Sequence, residues 1–291
     1  MISAFAPLWI ITFLGWAASR FARFGASVEK GLAHFAFSVA IPAIVFTTLA
    51  KLELHQLPAV PLAAYVISAV LIGVTGFLVI RRENFNERVI AGMASGYVNS
   101  GNLGIPIGLY VLGDASLVVA IVAFQTVVVT PMIVGLLDDS GRRLWTLPLR
   151  VPVVLASAAG VLCIAAGVHL PSVVLRPLEL LGGAAVPVAL FALGMSLNAP
   201  LSSLTRPALL IATFLKIVAQ PLAAWAIAHF VFGLTGTALL AVVLFAGLPT
   251  AQNTYIYATQ YNVPNELSRD AVLVTSVISL ASLSLILWLL G

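Results

Sequence analysis

Charged residues are scarce in this sequence of 291 residues: they make up 8% of it, while 61% of the residues are hydrophobic. Soluble domains contain about 25% charged residues. A chain with so little charge cannot cover a water-facing surface in the usual way, so the composition predicts that most of it lies in a lipid bilayer. No positive region precedes the first apolar stretch, which is typical of a retained span and not of a cleaved secretory signal.

Several functional classes lack their signatures in this sequence. There is no basic cluster with interleaved aromatic residues, which argues against nucleic-acid binding. The single cysteine, Cys163, excludes an intramolecular disulfide. An intramembrane Asp pair, a His-Glu-x-x-His motif and a rhomboid-like Gly-x-Ser-Gly motif are all missing. We therefore expect no enzymatic activity, no bound metal and no cofactor.

Long hydrophobic segments dominate what is present. A membrane-spanning helix requires roughly 20 mostly apolar residues, and ten segments are of about this length. The sequence therefore predicts an all-α membrane protein with ten transmembrane helices. The ten predicted spans are 3–19, 31–50, 57–80, 88–112, 115–137, 151–169, 174–197, 206–231, 236–260 and 269–290.

The distribution of basic residues predicts how the spans are oriented. Of the 14 Lys and Arg residues, 11 fall in the joints after odd-numbered spans, and only Lys51 and Arg176 fall in the joints after even-numbered spans. Because cytoplasmic joints carry the excess of Lys and Arg, we expect the odd-numbered joints to be cytoplasmic. Both termini would then lie outside the cytoplasm.

The joint between spans 5 and 6 divides the chain into two five-span halves, 1–137 and 151–291, connected by a short cytoplasmic linker, 138–150. An odd number of spans per half gives the halves opposite orientations, which predicts a 5+5 inverted repeat. The spacing of prolines favours this interpretation. Pro42 and Pro187 differ by 145 positions, and Pro106 and Pro249 differ by 143.

Spans 4 and 9 are interrupted by residues that a buried helix tolerates poorly: 99–106 reads NSGNLGIP and 247–253 reads GLPTAQN. Such breaks expose backbone polar groups that lipid cannot satisfy. Paired breaks in the two halves of a chain point to the binding site of a transporter. The alternative is that the polar side chains only repair the kinks and hold helices together.

The chemistry of the breaks favours an anion. Proline is suited to the first turn of a helix, so we expect helical halves to begin near Pro106 and Pro249, with a partial positive charge of about +0.5 at each start. Asn102 could cap the first of these halves, and Thr250 or Asn253 the second. The amide side chains that could bind a solute are Asn99, Asn102, Gln252 and Asn253, with Tyr257 about one turn away.

Polar residues inside other spans have several interpretations. Lys216 lies near the middle of span 8, where a charge is costly. It could attract an anionic substrate, hold the position of a co-transported cation, titrate with a lowered pKa, or extend to the interface. Glu179 in span 7 fits a solvated span end or a proton site equally well. Gln125 in span 5 and Thr275 in span 10 could face the breaks or make packing contacts.

The motif from Asn99 to Pro106 resembles the Asn-x-Gly-Asn-x-Gly-x-Pro signature of the auxin efflux carrier family of membrane transporters. The segments 249–253, 257–258 and 275–279 are similar to the C-terminal pattern of that family, so the likeness runs from end to end. The resemblance implies two crossed, broken helices, a scaffold of spans 1, 2, 6 and 7, and a moving, elevator-type transport domain of spans 3–5 and 8–10. It also implies a homodimer.

The same resemblance bears on the substrate and the coupling ion. Bacterial members are linked to dicarboxylates such as malate and malonate, and plant members to auxin. The short central linker favours a prokaryotic-type member in a bacterial inner membrane. Related sodium-coupled carriers hold the ion with acidic residues near the crossing. No Asp or Glu lies near either break here, so we expect a proton and not sodium if an ion is coupled.

These observations predict a secondary transporter of small organic anions that works by alternating access. The alternative on the same architecture is a passive anion channel or a ligand-sensing receptor. In the transporter hypothesis Asn102 and Asn253 bind the anion directly and Lys216 supplies charge. The full set of expected substrate-binding residues is Asn99, Asn102, Gly104, Pro106, Pro249, Gln252, Asn253, Tyr257 and Lys216.

Overall fold

The computed structural model describes residues 2–21, 25–51, 58–137, 152–168, 170–196 and 206–291. The predicted linker, 138–150, lies outside these residues. Within the described ranges the regular structure is entirely helical, which confirms the all-α class.

Helices occupy all ten hydrophobic segments, and short π-helical turns join several of them. Within the described ranges the α-helices are α1 (Ile2–Ala18), α2 (Ala26–Phe35), α3 (Ile41–Lys51), α4 (Ala59–Val79), α5 (Phe85–Gly96), α6 (Ile105–Ile107), α7 (Ser116–Phe124), α8 (Thr130–Leu137), α9 (Pro152–Ala166), α10 (Ser172–Gly183), α11 (Ala185–Ser196), α12 (Pro207–Phe214), α13 (Gln220–Ala226), α14 (Gly236–Ala246), α15 (Asn253–Gln260) and α16 (Glu266–Leu290). The π-helical turns are Ala36–Ala40, Ser100–Gly104, Gly108–Leu112, Gln125–Val129, Leu215–Ala219 and Ile227–Val231.

Four helical stretches in the described chain are long and apolar enough to cross a membrane by length and composition: Ala59–Val79, Ser172–Ala192, Pro207–Val231 and Glu266–Leu290. Their exposed apolar faces fit a lipid environment, because lipid removes the need for polar surface. These four stretches are consistent with an integral membrane protein. The ten crossings and the inverted repeat remain predictions.

The helices pack in two groups. In the first, α1 packs on α11 and α3 packs on α9 and α10. The α1–α11 contact is very close, because a Cβ atom at Gly15 would collide with the Phe191 carbonyl oxygen and one at Gly194 with the Thr12 carbonyl oxygen. In the second group, α4 packs on α5, α13 and α14, and α16 packs on α12, α14 and α15. The groups meet where α11 contacts the turn Ser100–Gly104 and α9 contacts the turn Gln125–Val129.

Described residues that border four joints of the second group lie at the same end of that group. Asn86 Nδ2, at the start of α5, donates to Leu137 O at the end of α8 (3.4 Å). A polar cavity of about 390 Å³ lies between residues 84–87 and residues 261–264. Arg82, Arg206 and Glu266 line a smaller cavity at the same end. These residues border four of the five joints that the basic residues predict to be cytoplasmic.

Candidate functional site

The two interrupted segments cross and pair with each other. Helix α5 ends at Gly96 and the chain becomes helical again at Ser100, while α14 ends at Ala246 and α15 begins at Asn253. Between these ends Val98 and Thr250 form an antiparallel bridge. Its backbone hydrogen bonds run from Asn99 N to Pro249 O (2.8 Å) and from Ala251 N to Tyr97 O (2.9 Å). The two segments therefore run in opposite directions where they meet, deep inside the second group of helices.

Side chains from three other segments satisfy the carbonyl groups that the first break releases. Gln220 Nε2 donates to Gly96 O (3.2 Å), and Thr250 Oγ1 donates to Ala94 O (2.7 Å). Gln125 Nε2 donates to Val98 O (3.2 Å). Carbonyls at a helix end have no partner within the helix, and burial makes an unpaired one costly. These donors therefore make the break compatible with its buried position.

The second break is satisfied in a different way. Lys216 Nζ donates to Ala246 O (3.2 Å) and to the side-chain oxygen of Gln220. The Thr250 amide donates to Thr275 Oγ1 (3.0 Å). Lys216, Gln220, Thr250 and Thr275 are all fully buried. A lysine amine, an amide and a hydroxyl thus take part in the hydrogen bonds at this break.

Gln125 is the centre of the polar contacts around the first break. Besides Val98 O, its side chain bonds to the Ser100 hydroxyl and to Tyr65 OH (3.4 Å). The sequence left open whether Gln125 faces the breaks or only packs, and the structure brings it to the first break. Tyr65 and Gln220 were missed by the sequence analysis. Gln220 had a detectable signal, since it lies one helical turn after Lys216 and therefore on the same face.

Two of the expected site residues on α15 contact the first half of the chain. The Tyr97 side chain forms hydrogen bonds with Asn253 and with Thr130. Tyr257 OH donates to Thr130 Oγ1 (3.3 Å). Asn253 and Tyr257 are half-buried, so this polar cluster lies beside the crossing without being sealed.

The structure corrects the roles expected for the prolines. Pro106 does not begin a helical half: the chain is helical from Ser100, and Pro106 lies within α6. The extended stretch is only long enough to form the bridge, after which the backbone returns to helix, and the neighbouring π-helical turns accommodate the missing proline N–H. Pro249 lies in the extended stretch and supplies a carbonyl to the bridge. Pro249 directly precedes the bridge residue Thr250, whereas Pro106 follows the bridge residue Val98 by eight positions, so the two prolines lie at different distances from the bridge.

The remaining expected residues are arranged as follows. Asn99 is buried, and its carbonyl accepts from Leu103 N (3.4 Å) and Gly104 N (3.2 Å). Gly104 gives close packing, because a Cβ atom there would lie 2.7 Å from Val118 Cγ2 and 3.0 Å from Leu248 Cδ1. The backbone of Asn102 is in the turn Ser100–Gly104, and its side chain lies outside what the structure describes.

Two further polar residues from the sequence analysis lie in different surroundings. Gln252 is half-buried, and its carbonyl accepts from Tyr255 N (3.0 Å) and Ile256 N (3.1 Å) at the start of α15. Glu179 is exposed on α10, in the other group of helices. The structure therefore brings Gln252 to the crossing and keeps Glu179 away from it.

An apolar cavity of about 310 Å³ borders the first break. It lies between α4, α5 and the segment from α7 to α8. Tyr65, Tyr97 and Gln125 line it nearest the crossing, and Val74, Phe77 and Leu136 line it farther out. Near the second break, the hydroxyl oxygens of Thr254 and Ser276 are buried and make no hydrogen bond to the described residues.

Comparisons with known proteins show which family the chain belongs to. The sequence model of the family described as "Membrane transport protein" matches residues 1–146 and 139–287. The chain is 26% identical to a "Putative malonate transporter" of Rhizobium meliloti, covering 98% of this chain and 94% of the relative. It is also 26% identical to an "Uncharacterized transporter" of Methanothermobacter thermautotrophicus, covering 95% of this chain and 94% of that protein. Because the family and these relatives are transporters and not enzymes, the expectation of no enzymatic activity is confirmed. The chain belongs to this membrane transport protein family, the auxin efflux carrier family that its fourth-span motif resembles.

Proposed function

We propose that this membrane transporter carries small organic anions, namely carboxylates such as malonate, malate or auxin-like acids, by alternating access. The observation that carries the proposal is the antiparallel crossing of two broken helices, whose released carbonyl groups are bonded to protein donors. What remains at the crossing are the starts of two helical halves, at Ser100 and Asn253. Helix starts present N–H groups and positive potential, which favour a carboxylate over a cation.

The proposed binding residues divide by role. The side-chain amides of Asn99, Asn102, Gln252 and Asn253 donate to the carboxylate, and Tyr257 lines the site beside Asn253. Gly104, Pro106 and Pro249 shape the backbone around it. Lys216 contributes positive potential from behind the crossing, since its Nζ contacts Ala246 O and Gln220. The name of the Rhizobium meliloti relative favours a dicarboxylate among the candidates.

The apolar cavity next to Tyr97 and Gln125 supports a substrate range that includes acids with an apolar part. The carboxylate would lie at the crossing, and the apolar part would enter the space between α4 and α8. Pockets that combine an apolar lining with a few polar groups are typical of small-molecule sites. Malonate would leave this cavity unused, and an indole acid would fill it.

The proposed mechanism uses the two groups of helices as separate bodies. Spans 1, 2, 6 and 7 form the scaffold and spans 3–5 and 8–10 the moving elevator-type domain, within a ten-span inverted repeat and a homodimer. The separate packing of the two groups supports this division. We further propose a bacterial inner membrane location with both termini outside the cytoplasm, and a proton in preference to sodium as any coupling ion.

Uptake into proteoliposomes tests this function. Purified protein should accumulate or exchange labelled malonate, malate or indole-3-acetate, with saturation and counterflow. The double variant Asn102→Ala/Asn253→Ala should lose uptake, whereas Asn84→Ala, on an exposed asparagine at the distant end of α5, should retain it. Flux without saturation or counterflow would indicate a channel, and binding without flux a receptor. Full uptake by the double variant would refute the assigned site.

A further inference from the structure

Lys216 and Gln220 connect the two broken helices to each other. Lys216 lies in the turn Leu215–Ala219, Gln220 begins α13 about one helical turn later, and both are fully buried. Lys216 Nζ donates to Gln220 and to Ala246 O, and Gln220 Nε2 donates to Gly96 O (3.2 Å). Gly96 is the last residue of α5, and Ala246 is the last residue of α14. One pair of side chains therefore reaches the C-terminal ends of both half-helices.

These two carbonyls are available because the chain breaks there. In a continuous helix, Gly96 O would accept from Ser100 N, and Ala246 O from Thr250 N. Instead Ser100 N donates to Val98 O (2.9 Å), and Thr250 N donates to Thr275 Oγ1 (3.0 Å). Each helix end also carries a partial negative charge of about −0.5. Two such ends, buried and close to one side-chain pair, form an environment that attracts a cation.

We propose that the Lys216 ammonium group is the resident cation of the crossing and occupies the place that a metal cation would take between two half-helix ends. In transporters with broken helices, unwound carbonyls and C-terminal half-helix ends coordinate coupling cations. Within the described chain, Lys216 Nζ donates hydrogen bonds to two oxygen atoms, one at the end of a half-helix and one in the Gln220 side chain. Lys216 is thus a positioning residue, which holds α5 and α14 in register and removes the need for sodium or potassium.

The proposal differs from direct binding of substrate by Lys216. A direct ligand would change the affinity for the anion and leave the unliganded protein insensitive to added cations. A resident cation predicts that its removal creates a requirement for an external one. The consequence for transport rests on the proposed function, but the consequence for stability does not, because it needs no substrate.

The test is thermal unfolding of the purified protein in sodium, potassium, ethylammonium or choline chloride at equal ionic strength. The wild type should have the same Tm in all four salts. Lys216→Ala should lower the Tm in choline chloride by about 5 °C, and ethylammonium or sodium should restore at least half of the loss in a concentration-dependent way. Leu215→Ala, which removes a neighbouring buried side chain without freeing a carbonyl, should lose stability with no cation-dependent recovery.

Two further measurements keep the proposal falsifiable if Lys216→Ala does not fold. Lys216→Arg keeps the charge and should remain insensitive to the choice of cation. Uptake by the wild type should proceed at equal rates in sodium, potassium and choline. A wild type that is stabilised by sodium, or a Lys216→Ala protein that responds to cations no more than wild type does, would overturn the proposal. Absence of uptake in every salt, together with intact cation effects on Tm, would instead count against the transport function.

Discussion

The two broken helices differ more in their side chains than in their backbones. Both leave the helix, form one residue of an antiparallel bridge and become helical again within a few residues. At the first break, Gln125 bonds to Val98 O, the Ser100 hydroxyl and Tyr65 OH, while Gln220 bonds to Gly96 O and Thr250 to Ala94 O. At the second break, Lys216 bonds to Ala246 O and Thr275 to the Thr250 amide. The donors at the first break are thus two neutral amides and a hydroxyl, whereas the second break uses a lysine amine and a hydroxyl.

This difference shows which segment places a basic side chain beside the crossing. The crossing is nearly symmetric in its backbone hydrogen bonds, but within the described residues a lysine bonds to only one of the two breaks, from the turn Leu215–Ala219. A symmetric scaffold can thus present an asymmetric potential to a bound anion. It follows that single substitutions should have unequal effects at the two breaks.

Gln125→Leu should have the largest effect. It leaves the Ser100 hydroxyl without its acceptor and removes one of two hydrogen bonds to Val98 O, which costs about 2–4 kcal/mol in a buried site. We expect the Tm to fall by about 10 °C and uptake to fall below detection. Differential scanning fluorimetry and proteoliposome uptake measure the two results.

The control for Gln125→Leu is Val128→Ala, on the exposed side of the same π-helical turn, which should melt near the wild-type temperature. If Gln125→Leu melted within about 2 °C of wild type, less than the loss of one buried hydrogen bond predicts, the first break would not depend on this glutamine. The comparison between the two breaks would then fail.

Thr275→Val should have a smaller effect at the second break. The substitution keeps the shape of the side chain and leaves one buried N–H, that of Thr250, unpaired, at a cost of about 1–3 kcal/mol. We expect a Tm reduction about half that of Gln125→Leu, measured in the same experiment. A loss as large as that of Gln125→Leu would mean that the second break depends on Thr275 as strongly as the first depends on Gln125.

The positions of the breaks could be predicted from the sequence because Asn, Gly and Pro interrupt apolar runs of spanning length. The composition also predicted the helical class. The hydrogen-bond partners could not all be predicted, because Tyr65, Gln125 and Gln220 lie far along the chain from the groups to which they bond. Hydrophobic periodicity says little about which face of a uniformly apolar helix meets a break.

Pro106 shows a second limit of sequence reasoning. The preference of proline for the first helical turn is sound, yet here long-range pairing decides where the helix resumes. The bridge between Val98 and Thr250 ends the extended stretch at Asn99, and helix follows at once. A local rule cannot include a partner segment about 150 residues away.

Val74→Trp tests whether the cavity beside the first break selects substrates. Val74 lines the cavity from α4, and a tryptophan there would fill part of its volume. We expect uptake of indole-3-acetate to fall about tenfold while malonate uptake changes less than about twofold, because only the larger acid uses the space. Leu71→Trp, exposed on the same helix and outside the cavity lining, is the matched control. Equal losses of uptake for both acids would show that this cavity does not select between substrates.

Thr254→Val should have the smallest effect on stability and separates binding from folding at the second break. The Thr254 hydroxyl is buried on α15 without a hydrogen bond to the described residues, so the isosteric substitution breaks no contact there. We expect the Tm to stay within about 1 °C of wild type, since removal of an unpaired polar group is nearly neutral or stabilising.

Binding is tested by the same variant. If the Thr254 hydroxyl donates to the bound anion, the KM for uptake should rise about threefold to tenfold, as loss of one hydrogen bond predicts. Ser282→Ala, which removes another unpaired buried hydroxyl farther along α16, should change neither quantity. An unchanged KM in Thr254→Val would indicate that the anion binds nearer the first break, with the side-chain amides of Asn99 and Asn102 as its donors.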